Sequence, residues 1–137
     1  MVTTSLVLCL LFPAEVPERK LTGTWVPEMV ELDGGDVTRS IFQNALFPTK
    51  VRFRGDSSVV LIWKNGREVT GTYKVELKTN RILAISFKDS ITVKGIFILD
   101  GDYLLFCCNE LPASTVPTRF SSKNNGIIYL LKRTGDE

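Results

Sequence analysis

The residues able to do chemistry in this chain are few, and their types narrow the options quickly. Its 137 residues include no histidine. A Ser-His-Asp or Cys-His relay and a histidine metal site are therefore out of reach. The cysteines are Cys9, Cys107 and Cys108. An odd count with an adjacent pair is no disulfide framework. Neighbours in a strand point to opposite faces, so Cys107 and Cys108 are expected unbonded, with one thiol in the core acting as a small apolar group. No other ligands are spaced to make a metal or redox centre with them. Four carboxylates crowd one stretch, Glu28, Glu31, Asp33 and Asp36, where an acid/base pair would be conceivable. No basic or nucleophilic partner accompanies them, and they read better as a solvated edge and a turn. The expectation is a protein that is not an enzyme and uses no metal or cofactor.

Charge excludes more. The formal net charge is +2, too weak to imply nucleic acid or an anionic membrane as partner. Lys50, Arg52 and Arg54 cluster, but in a strand they share one face opposite Val51 and Phe53, the pattern of a half-buried strand. With 44% hydrophobic and 23% charged residues, the chain has ordinary globular composition and enough length for one core.

The elements that must position these residues follow from turn spacing. Leu21-Thr22-Gly23-Thr24-Trp25 opens a first strand, and Asp33-Gly34-Gly35-Asp36 ends it. Ile41, Phe42, Ala45 and Leu46 have the spacing of a short helix stopped by Pro48. Strands are then expected over 50–54, 58–63, 67–77, 82–87, 92–99, 103–108 and 127–131. Asn65-Gly66 and Asp100-Gly101-Asp102 are hairpin signals between them. Counting the first, that makes eight strands with short connections, which forces antiparallel neighbours. Such a meander hides its edges most easily as a closed up-and-down barrel, an all-β fold whose interior is filled or holds one small ligand. The domain is expected over 21–133. Before it, the apolar run Ser5 to Phe12 resembles the core of a secretory signal and is too short to span a bilayer. No Lys or Arg precedes it and no small-x-small cleavage site follows. Export to the periplasm or the outside is the expectation if it is a signal, and a cytoplasmic location if it is not.

Gly23-Thr24-Trp25 on a first strand, with Lys132 and Arg133 on a last one, resembles the lipocalin and calycin barrels. More closely, the chain is similar to a small lipocalin-like domain family recurrent in planctomycete bacteria, to which no function is assigned. The matching pieces are Leu21 to Trp25, Gly71 to Val75, Gly95 to Leu104, Cys107, Pro117 to Phe120, and Leu130 to Arg133. They occur in the family's order over roughly residues 20–133. Arg119 stands where that family tends to have an acidic residue, and Phe106 and Cys108 make their strand more apolar than usual. The resemblance implies a lipocalin-like fold, with Trp25 at the closed end and a basic side chain across its indole, where a dry ring face attracts a cation. It implies no catalytic residues.

The function expected is a binding module for a small hydrophobic ligand, with a structural or protein-interaction domain of filled barrel as the alternative. A ligand would enter at the rim opposite Trp25, which collects the connections 33–48, 65–66, 88–90 and 109–126. Its contacts are expected to be Phe42, Phe47, Trp63 and Phe87, and Gly23, Trp25, Lys132 and Arg133 are expected to be structural.

Overall fold

The computed structural model describes residues 21–44, 47–77, 81–88, 92–110 and 113–136. The candidate signal at residues 1–14 lies outside them, as do Cys9 and the connector before Leu21. Among the described residues, no helix is long and apolar enough to cross a membrane.

The chain forms β1 (Gly23–Leu32), β2 (Gly35–Asp36), α1 (Thr38–Asn44), β3 (Lys50–Phe53), β4 (Ser58–Ile62), β5 (Glu68–Leu77), β6 (Arg81–Phe87), β7 (Thr92–Asp100), β8 (Tyr103–Asn109) and β9 (Gly126–Gly135). Strands β3 to β9 pair in chain order, β1 pairs with β3, and β1–β9 pairing closes the sheet. The result is an antiparallel barrel of eight strands, with β2 a two-residue arm on β1 and α1 between the first two barrel strands. The sequence reading of the fold agrees with this.

Local chemistry explains the turns. Gly66 takes a positive φ of 87°, and the Asn65-Gly66 hairpin is closed by Trp63 N–H donating to Arg67 O at 2.8 Å. Asp56 ties the β3–β4 turn by accepting from Ser58 N–H at 3.0 Å and Ser58 Oγ at 2.6 Å, an Asx turn. Asp36 does the same for α1, accepting from Thr38 N–H at 2.9 Å and from the Thr38 hydroxyl. It thereby satisfies an orphan donor at the helix start.

β1 is the element that breaks regularity. It pairs with β9 along nearly its whole length, but with β3 only from Gly23 to Trp25. Its register against β9 shifts between Pro27 and Met29, a bulge where proline supplies no N–H to the ladder. Beyond the bulge, the edge of β1 facing β3 is satisfied locally. Val37 N–H donates to Val30 O at 2.9 Å, and Val30 N–H donates to Thr38 Oγ1 at 2.9 Å. The start of α1 therefore fills the gap that β3 leaves.

The strands run so that the β3–β4, β5–β6 and β7–β8 connections lie at the end where Trp25 begins. The 33–49 segment and the β4–β5, β6–β7 and β8–β9 connections lie at the other. Inward residues of the lower half fill it. Trp25 and Leu104 are 0% exposed, Phe97 is 3% exposed, and Phe53 meets Tyr73 edge-on at 4.9 Å between ring centroids. A second, smaller apolar layer lies outside the barrel, where Ile96 and Cys107 are buried. There Lys94 N–H donates to Ala113 O at 2.9 Å, and Cys107 Sγ sits 3.5 Å from Ser121 O. The long β8–β9 connection therefore folds back as a cover on the barrel's outer face.

Candidate ligand-binding site

The closed end is built around one indole. Trp25 Nε1 donates to Leu21 O at 2.8 Å, which satisfies the ring's one polar atom in the core. Arg133 stands opposite Trp25 in the β1–β9 register, and its guanidinium carbon lies 4.7 Å from the ring centroid, a cation–π contact. Gly23 makes the approach feasible. It has φ of 129°, and a Cβ there would stand 2.8 Å from Gly135 O and 3.4 Å from the Arg133 stem. Lys132 alternates to the outer face, where its ammonium lies 5.9 Å from the Tyr103 ring centroid. Of the two basic residues read from the sequence, Arg133 is the one across the indole.

Above this floor the barrel is not filled. A cavity of about 370 Å³ lies there, reaching down to Phe53, Leu104 and Leu131 and up to the rim. Its walls are apolar residues from seven strands: Val30 from β1, Val51 from β3, Leu61 from β4, Leu83, Ile85 and Phe87 from β6, Val93 from β7, Phe106 from β8, and Ile127 from β9. Ile41 of α1, with Phe47 and Pro48, closes the side where β1 and β3 part. Strand alternation sorts these residues: Val51 and Phe53 line the cavity while Arg52 faces out, its Nε donating to Thr24 Oγ1 at 3.2 Å.

Polar groups are few and gathered on one wall. Cys108, Asn109 and Glu110 at the end of β8, and Tyr129 of β9, all line the cavity. Burial, helped by Cys107, pushes the Cys108 thiol up to about 12. Tyr129 is also raised, first by burial, then by Cys108 and Glu110. Both groups stay protonated at neutral pH. Asn109 is engaged outward, its Nδ2 donating to Thr115 Oγ1 at 3.0 Å.

Of the four aromatic residues expected to contact a ligand, the structure brings Phe47 and Phe87 to the cavity. Phe42 and Trp63 stand outside it, together in a shallow groove with Lys50 and Lys64. The physical reasons are local. Ile41 takes the inward position of α1, so the next residue, about 100° further round a helix, points away. Trp63 follows the last residue of β4 into the hairpin turn, where the Arg67 guanidinium carbon lies 5.0 Å from its ring centroid. Tyr103, the first residue of β8, is 42% exposed. The aliphatic residues of β6 and the Tyr129 wall were missed. Their signal was present in the alternation of Leu83 and Ile85 on one face, but alternation does not tell a filled interior from an open one.

The cysteines lie on opposite faces, both free and buried: Cys108 in the cavity wall, Cys107 beneath the β8–β9 connection. Two of the early carboxylates have structural partners. Glu31 accepts from Ser122 Oγ at 2.6 Å, pinning β1 to the β8–β9 connection, and Asp36 caps α1. Glu28 is exposed at the bulge, and Asp33 sits in the turn with φ of 51°. Among the described residues, no three Cys, Asp or Glu side chains come together as a metal site. Comparison with family models, curated proteins and solved structures finds no match for this chain.

Proposed function

We propose that this chain is a non-catalytic binding module that takes one small apolar molecule into its barrel. The observation that carries the reading is the 370 Å³ apolar cavity on the side of the barrel away from Trp25. At ~30 Å³ for each heavy atom, taking water's share of its liquid as the yardstick, that is room for about a dozen heavy atoms. Apolar clefts and cavities of this size, with a few convergent polar groups, are the usual form of a small-molecule site. The resemblance to lipocalin-like domains points the same way. A second reading, a protein-interaction domain, is favoured by the outer groove where Phe42 and Trp63 stand beside Lys50 and Lys64.

Calorimetric titration with octan-1-ol separates the two. Burying its chain at about 0.8 kcal/mol per CH₂ gives roughly 6 kcal/mol, a Kd of a few tens of micromolar. The binding reading expects one site per chain and a negative heat-capacity change. Ile85→Trp, which fills the cavity, should abolish the signal while the protein stays folded. No heat from the unsubstituted protein at millimolar octan-1-ol would leave the interaction-domain reading in its place.

A further inference from the structure

We infer that the molecule this cavity takes is uncharged, that its one polar group meets Tyr129 and Cys108, and that Glu110 at the same wall turns away carboxylates. The inference rests on the binding reading above. It comes from the electrostatic make-up of the lining. Among the described residues that line the cavity, none is Lys or Arg, and Glu110 is the one acidic residue. Of the basic residues near the rim, Arg39 and Lys64 border the outer groove with Phe42, and Lys88, next in the chain to Phe87, is not among the residues that line the cavity. A carboxylate moved into the cavity would lose its hydration and find no cation to replace it.

The protein's own groups report the same field. The Cys108 thiol and the Tyr129 phenol are both held in their neutral forms chiefly by burial, and for Tyr129 the Glu110 carboxylate adds to the effect. A cation close by would act in the opposite direction. What the wall offers is a phenol hydroxyl, able to donate or accept, and a weak thiol donor. These suit an alcohol, ketone or ether oxygen at the end of an apolar body. The Asn109 side-chain N–H group does not compete as a donor, because it is engaged with Thr115.

The test compares octan-1-ol with octanoate by calorimetry at pH 7.5, on the unsubstituted chain and on Glu110→Gln, Glu110→Lys and Tyr129→Phe. Glu110 is exposed, so its replacements leave the barrel folded. The alcohol should bind at least tenfold more tightly than the carboxylate. Glu110→Gln should narrow that gap several-fold by improving octanoate alone, and Glu110→Lys should close it. Tyr129→Phe should weaken the alcohol several-fold and leave octanoate unimproved. Octanoate binding as tightly as octan-1-ol to the unsubstituted chain would overturn the inference while the binding reading stands. A gap unmoved by both Glu110 substitutions would also overturn it, since the preference would then come from desolvation alone. Failure of octan-1-ol and octanoate alike to bind would instead remove the binding reading beneath it.

Discussion

At the scale of single residues, the closed end depends on three residues that need each other. Trp25 fills the floor, Arg133 covers its face, and Gly23 leaves the space through which the Arg133 stem passes. Trp25→Ala should cost about 3–5 kcal/mol, as for other buried aromatic residues. Urea midpoints would check it, and a loss under about 1 kcal/mol would remove the organising role of the indole. The thiols make a separate prediction about pH. Cys108 is raised from the ordinary 9.0 to about 12 by burial. Above pH 9 the unfolded chain gives up this proton and the folded chain keeps it. The stabilisation is therefore present in full below pH 9 and falls as the pH rises toward 12, by up to about 1.4 kcal/mol per pH unit. Unfolding free energies at pH 8 and pH 10 should show the drop, and Cys108→Val should make it shallower. Equal pH dependence in the two proteins would contradict the burial argument.

At the scale of elements, the hairpins and the extent of β1 were legible, and the way β1 pairs with its neighbours was not. Asn65-Gly66 and Asp100-Gly101-Asp102 fix turns by backbone chemistry confined to a few residues, so the sequence shows them directly. Turn spacing put the end of β9 at Leu131, the resemblance put Lys132 and Arg133 on it, and it runs on to Gly135. Lys132 to Gly135 carry no apolar alternation, and what holds them in the strand is β1 beside them. β2 and the bulge at Pro27 are likewise products of pairing, not of local pattern. The inner face of β7 supplies a prediction at this scale. A Cβ at Gly95 would overlap the Cys107 carbonyl and the Phe106 ring, which lies across it. Gly95→Ala should therefore force β7 and β8 apart or expel Phe106 from its place. The expected result is a loss of at least about 2 kcal/mol, within the range for overpacking or lost strand pairing. Gly101→Ala provides the comparison, because nothing lies within 4 Å of its added Cβ. It should show only the cost of a φ of 57°, about 1–2 kcal/mol. Stabilities in the reverse order would show that the β7–β8 contact is looser than it looks.

At the scale of the whole molecule, closure of the barrel could be read from the sequence because short turns leave few other ways to hide eight strand edges. Which rim gathers the long connections could be read too, by counting turns. The state of the interior could not. It depends on where each large side chain ends up, and Phe42, Trp63 and Tyr103 finish outside, leaving aliphatic walls around open space. Two of the four expected contacts, Phe47 and Phe87, line that space because they lie at the rim on inward positions. Tyr129 and Glu110 gave no advance sign, since their sharing one cavity wall depends on β8 and β9 lying side by side.

The central claim is that a small apolar molecule enters this cavity from the rim opposite Trp25. It is tested most directly by methyl-resolved NMR of the folded protein titrated with octan-1-ol. The account predicts saturable shifts at Val51, Leu83, Ile85, Val93 and Ile127, which line the cavity, and none at Val60 and Ile96, buried on the outer face. Shifts confined to Ile62, beside Phe42 and Trp63 in the outer groove, or no saturable shifts at all, would contradict it.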